Sequence, residues 1–168
     1  AVLEAAQEKI EQLQAEKAAN EAAAKAVEEE IAALPTNITL NDQAAVEKVA
    51  ANYAALTEVQ QALVPNKAVL EAAQEKIVQL QAEKAANEAA AKIVIEAIEA
   101  LPETVTLEDA AVVQHVLEQF SALKEVQKTL VTNRTKLEAA KATIERLETE
   151  KEINETAAKI VIETIGAL

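Results

Sequence analysis

The chain has 168 residues, a formal net charge of −13 and a pI near 4.6, so nucleic acid and anionic membrane, both bound through Lys/Arg patches, are repelled. Cys is absent, which removes disulfide and thiol chemistry, and no apolar run approaches the ~20 residues of a membrane span. Hydrophobic residues make up 51%, but much of this is Ala, only Tyr53 and Phe120 are aromatic, and one Gly with three Pro leaves little material for sheets or flexible linkers.

The first predicted element, Val2 to Leu34, contains no Pro or Gly and reads as one helix. Its opening returns further on. VLEAAQEKI at Val2–Ile10 recurs letter for letter at Val69–Ile77, and in diverged form as KLEAAKATI at Lys136–Ile144. Leu34-Pro35 matches Leu101-Pro102, so the period is 67 residues without insertion. A gapless period marks an array in which each unit meets its neighbour in one geometry.

Pro35 and Pro102 end the preceding helices, because proline disfavours the α region for the residue before it. TNITL and ETVTL follow as brief extended loops. Thr39-x-x-Asp42 and Thr106-x-x-Asp109 then read as capping-box-like starts, with an acid at the positive end of the helix dipole. Val46, Val49, Tyr53 and Leu56 form a helical stripe, repeated as Val113, Val116, Phe120 and Leu123. Tyr53 and Phe120 are expected to be the largest core groups, touching the seams of both long helices. ALTEVQQALV and ALKEVQKTLV are expected to kink and continue as a two-turn helix, closed by Pro65-Asn66 and Thr132-Asn133.

The second long helix is expected over Lys67–Leu101. Leu70, Ala73, Ile77, Leu80, Lys84, Asn87, Ala91, Val94, Ile98 and Leu101 fall at alternating spacings of three and four, a heptad seam. Only Lys84 and Asn87 interrupt it, and the pair recurs as Lys17/Asn20 and Lys151/Asn154. The expected reason is a wet junction where one bundle hands the helix to the next. Glu21/Lys25, Glu88/Lys92 and Glu155/Lys159, four apart with Glu first, are expected to support the helix past each junction.

The fold class that follows is all-α: tandem three-helix bundles fused through long continuous helices, a spectrin-like rod. Residues 1–17 are expected to be the third helix of one bundle, 18–84 a complete bundle, 85–151 a second, and 152–168 the first helix of another. The chain opens at Ala1 without a Met and stops at Leu168, where the next proline is due, so it reads as an excerpt of a longer protein. Leu3, Ala6, Ile10 and Leu13 at one end, and Ile160, Val161, Ile162, Ile165 and Leu168 at the other, then form apolar stripes lacking partners in their own chain. They are expected to project and to meet neighbouring molecules.

No residue is expected to serve catalysis, a cofactor or a metal. His115 stands where the first repeat has Lys48, a position that accepts a solvated cation. Glu28-Glu29-Glu30 is acidic, but consecutive helical side chains diverge and do not close on one ion. A single Gly excludes a phosphate-binding glycine loop. Leu101-Pro102-Glu103-Thr104-Val105 looks like a sortase signal but lacks the Gly after Thr, and reads as a helix-ending loop. Asn37-Ile38-Thr39 is a formal glycosylation sequon, read instead as a turn Asn beside a capping Thr. The middle helix diverges most, Ala50, Ala51 and Asn52 becoming Leu117, Glu118 and Gln119, so the candidate binding face is Val112, His115, Leu117 and Gln119.

The ordered set of ALP, the TLED cap, the aromatic-x-ALxxxQ segment, LVTN or LVPN, and the LEAA helix resembles helical repeats of Gram-positive cell-surface proteins, including surface-layer and wall-anchored proteins. The resemblance covers nearly the whole chain. It implies an extracellular tandem module acting as stalk or assembly element, without catalysis. The expected function is therefore a non-enzymatic spacer, a rigid acidic helical rod. Its expected partners are neighbouring repeats of the same protein, with no nucleic acid and no membrane insertion. The alternatives are a module binding a host protein or cell-wall polymer, and an engineered consensus array. The latter is suggested by the first two long helices differing at only five positions (11, 26, 28, 30 and 32), and opposed by the drift of the third.

Overall fold

The computed structural model describes residues 2–166, and over them the protein is all-α, with no strand. Three long helices, α1 (Val2–Ala32), α4 (Lys67–Glu99) and α7 (Arg134–Gly166), alternate with shorter ones. The shorter ones are α2 (Gln43–Ala54), α3 (Glu58–Gln61), α5 (Ala110–Ala122) and α6 (Glu125–Lys128). The chain divides into two units, Ala1–Glu83 and Lys84–Leu168. The boundary falls inside α4, which runs through Lys84–Asn87 without a turn.

In the first unit, Ala24, Val27 and Ile31 of α1, Val46 and Val49 of α2, and Leu70, Ala73 and Ile77 of α4 form one core. In the second, Ala91, Val94 and Ile98 of α4, Val113 and Val116 of α5, and Leu137, Ala140 and Ile144 of α7 do the same. Every one of these positions is 67 residues from its counterpart. Apart from Leu70 and Leu137 these side chains are Ala, Val and Ile, small enough for close helix approach. Of the seam in α4, Lys84 alone is exposed and Leu80 is half-buried; the rest is buried.

Helix ends follow the punctuation in the sequence. α1 and α4 stop before Pro35 and Pro102, and their last turns tighten, with Leu34 N–H donating to the Ile31 carbonyl and Leu101 N–H to Ile98 at 3.2 Å. α4 therefore ends two residues short of Leu101. The LPETV and NIT segments lie in the loops beyond, Thr39 capping the short 3-10 turn Leu40–Asp42. Asp42 Oδ2 accepts from both the Thr39 amide, at 2.8 Å, and its hydroxyl, at 2.7 Å. Asp109 does the same for Thr106, at 2.8 Å in both bonds. In each case the return bond runs from the Asp amide to the Thr carbonyl at 3.1 Å, so the carboxylate carries the cap.

Three expectations are corrected. Tyr53 and Phe120 are half-buried at the rim, not at the core centre. They sit in the last turn of α2 and α5, where the chain leaves the bundle, and each lies under the cation that opens the next long helix. Lys67 Nζ is 5.9 Å from the Tyr53 ring centre, and Arg134 Cζ 5.4 Å from that of Phe120. Among the described residues the largest fully buried side chains are Ile31, Ile98, Leu137, Val46 and Val113. Second, the segment after each kink is one turn rather than two, because three-residue bonds at Leu63 and Val64, and at Leu130 and Val131, close it at once. Third, the ion pairs at the junctions run with Lys first. Lys17–Glu21 lies at 3.6 Å, Lys84–Glu88 at 3.6 Å and Lys151–Glu155 at 3.9 Å, while Lys25 and Lys92 reach forward to Glu29 and Glu96. Glu21 and Glu88 have a Lys four residues away on either side, and exposed pairs of this kind differ by only tenths of a kcal/mol.

Candidate functional site

Of the two polar residues that break the heptad seam, Lys84 is exposed, but Asn87 is a structural tie rather than a wet spacer, which corrects the expected reason for that half of the break. Asn87 is buried, and its Oδ1 accepts from Gln127 Nε2 at 3.0 Å. Asn20 Oδ1 accepts from Gln60 Nε2 at 3.0 Å in the first unit. The other end of each glutamine caps its own short helix. Gln60 Oε1 accepts from the Thr57 amide at 2.9 Å, and Gln127 Oε1 from the Lys124 amide at 2.9 Å. One side chain thus satisfies a helix start and fixes that turn against the long helix. In the second unit Lys124 replaces Thr57 and offers no acceptor, so only the glutamine half of the cap remains.

A second tie joins the first and third helices of each unit. Asn66 Nδ2 donates to the Glu28 carbonyl at 2.9 Å, and Asn133 Nδ2 to the Ile95 carbonyl at 2.9 Å. Their Oδ1 atoms are buried without a hydrogen-bond partner, a cost repeated in both units. Sequence reasoning overlooked both ties. The available signal was that Gln60/Gln127 and Asn66/Asn133 are unchanged between repeats while their neighbours drift, and that Asn20 recurs as Asn87 on an otherwise apolar seam.

On α5, Val112 and His115 are exposed and Gln119 is half-buried, all on one side of the helix. Gln119 Nε2 lies 3.1 Å from His115 Nε2; an amide nitrogen only donates, so that ring nitrogen accepts. Gln119 Oε1 is buried and unpaired. Leu117 does not join them, packing instead against the second core.

Leu117 borders a shallow groove of about 350 Å³ between α5 and α7, together with Val113, Ile144, Lys141, Glu145 and Glu148. A groove of about 260 Å³ lies between α2 and α4, with Val46, Ala50, Ile77 and Val78 among its lining. Each lining residue of one stands 67 positions from a lining residue of the other. The two differ in chemistry. Ala50 and Val78 of the first are Leu117 and Glu145 in the second, which adds an acid to its lining.

Among the described residues no group of three His, Cys, Asp or Glu side chains is placed to hold a metal ion, and no helix is long and apolar enough to cross a membrane. Glu30 of the acidic run accepts from Asn52 Nδ2 at 2.7 Å, tying α1 to α2. Comparison with family models, with curated proteins and with solved structures finds no match for this chain.

Proposed function

We propose that this protein is a non-enzymatic spacer built from tandem three-helix units, which holds other parts of a bacterial cell-surface protein at a set separation. The observation that carries the reading is α4. It is one helix from Lys67 to Glu99, with Leu70–Ile77 in the core of the first unit and Ala91–Ile98 in that of the second. Bending such a helix means breaking backbone hydrogen bonds with no proline to relieve it. The grooves are shallow, and Asn87, the buried polar residue among those described, is engaged in an inter-helix tie. The surface location rests on the ALP, TLED and LVTN frame of the repeat alone. A face on α5 offering exposed Val112 beside His115 favours a second reading, a module binding a host protein or wall polymer.

Proline at Ala86 tests the first reading. It removes an internal hydrogen bond and costs ~3 kcal/mol or more locally. Small-angle scattering is expected to show a stiff particle for the parent chain and added flexibility for Ala86→Pro. Identical scattering from the two contradicts the spacer reading.

A further inference from the structure

A groove of about 390 Å³ opens in the first unit between the last turn of α1, the loop after it and the first turns of α4. Ile31, Leu34, Ile38 and Val69 give it an apolar lining, and Val69 is exposed. The second unit shows what lies over the equivalent place. Ala32, Thr36 and Val69, which all line the groove, stand 67 positions before Glu99, Glu103 and Lys136. There Lys136 Nζ donates to the Glu99 carbonyl at 3.0 Å and to Glu103 Oε1 at 3.5 Å. The aliphatic stem of Lys136 thus crosses from α7 to the last residue of α4, and its ammonium sits at the negative end of that helix's dipole. Val69 has neither the reach nor the charge to do this. Among the described residues no donor reaches the Ala32 carbonyl, the counterpart of the Glu99 carbonyl. Lys76 also lines the groove, seven residues beyond Val69 and so ~10 Å along the helix. It forms no ion pair with any described residue, and the second unit has Thr143 in its place.

We propose that the groove of the first unit takes a lysine side chain from a peptide segment of a partner protein. The ammonium is held by the Ala32 carbonyl, as that of Lys136 is by the Glu99 carbonyl, and the stem lies over the apolar lining. A carboxylate of the same segment, ~10 Å from the ammonium, meets Lys76. Lysine fits better than arginine, because a lone carbonyl suits a point-charge donor and gives a guanidinium fork no matched pair of acceptors. A second copy of this chain is a poor occupant, since each copy carries a net charge of −13. Thr36 stands where Glu103 supplies a carboxylate, so the ammonium is held by the carbonyl alone and the segment exchanges readily. The groove lies wholly within one unit, and the spacer reading stands or falls without it.

NMR titration of the whole chain with the dipeptide acetyl-Lys-Ala, its C-terminal carboxylate free, tests it. Saturable shifts are expected over residues 31–38 and 69–76 and not over their counterparts in the second unit. The same dipeptide with norleucine for lysine keeps the stem, loses the ammonium and is expected to bind roughly tenfold more weakly. Thr36→Glu/Val69→Lys copies the second unit into the first and is expected to abolish binding. Both positions are exposed, so its melting stays that of the parent chain. Glu103→Thr/Lys136→Val/Thr143→Lys copies the first unit into the second and is expected to add saturable shifts around Glu99. Shifts that do not saturate in the parent, or equal binding of the norleucine dipeptide, overturn the proposal. So does undiminished binding by Thr36→Glu/Val69→Lys, or a triple variant with no new site. Self-association of the parent that this double variant abolishes puts a second copy in the groove and overturns it too.

Discussion

In Val2–Ile10 and Val69–Ile77 the same nine residues are helical, yet Leu3 is 86% exposed and its twin Leu70 2% exposed. Ile10 and Ile77 differ in the same sense, at 49% and 6%. Composition, propensity and apolar spacing are identical, so none of these accounts for the difference. What differs is company. Val69–Ile77 lies against Ala24, Val27 and Ile31 of α1 and Val46 and Val49 of α2. The heptad pattern therefore specifies a helix and a face, while burial is conferred by the other two helices of the unit. A short isolated helix is marginal in water, and most helical stability comes from packing an apolar face.

The largest effect that breaks the comparison is at the twin isoleucines. Ile77→Ala opens a cavity in the first core and is expected to cost ~2–5 kcal/mol. Ile10→Ala is expected to stay within ~0.5 kcal/mol, as for an exposed position. Urea denaturation of the two variants measures the difference, and equal midpoints contradict the packing described.

The twin asparagines sharpen it. Asn87→Ala leaves the Gln127 amide without its acceptor and is expected to cost ~1–2 kcal/mol. Asn154→Ala, at the equivalent exposed position of α7, is expected to be near neutral. Thermal melts of both suffice. If Asn87→Ala matches the parent, the Gln127 tie contributes nothing.

Phe120→Ala is expected to cost about 1–2 kcal/mol, well below Ile98→Ala, because only part of the ring leaves water and a cation covers the rest. A cost equal to that of Ile98→Ala returns Phe120 to the core centre.

The smallest effect is acid-dependent. The Thr39 hydroxyl and then its amide hold Asp42 below the ordinary 3.8. The Thr106 amide and then its hydroxyl do so for Asp109. Lys128 beside Glu125 holds that carboxyl below the ordinary 4.5. A folded-state value lower than the unfolded one stabilises the fold above the unfolded value, and the gain is lost as pH falls through the folded value. The two Asp caps and the Glu125–Lys128 pair are therefore expected to contribute fully above about pH 5 and to weaken below the ordinary carboxylate range. Asp109→Asn is expected to flatten part of the acid slope of stability. An unchanged slope contradicts the role of this cap.

Much of this was legible because the repeat is gapless. Period, helix stops at Pro35 and Pro102, the Thr caps and the buried seam all follow from spacing and local chemistry. The rim position of Phe120 was not, since side-chain size says nothing of where along a bundle a helix ends. Asn87 was misread for a related reason. A polar residue on an apolar seam signals either water or a specific partner, and the partner, Gln127, is 40 residues away. Leu117, one of four residues grouped by sequence divergence, packs against the core and was misgrouped because divergence does not distinguish a core-packed position from an exposed one. The direction of the junction ion pairs escaped because each Glu had two equally spaced cations, and tenths of a kcal/mol decide between them.

The most direct measurement is residue-by-residue amide exchange by NMR on the dilute chain, comparing Val2–Ile10 with Val69–Ile77. Identical sequences have nearly identical intrinsic exchange rates, so the ratio reports packing alone. Strong protection is expected over Val69–Ile77, approaching that of global unfolding, with rates near the unprotected limit over Val2–Ile10. Equal protection in the two segments would contradict the claim that a helix of this repeat is held by the other helices of its unit.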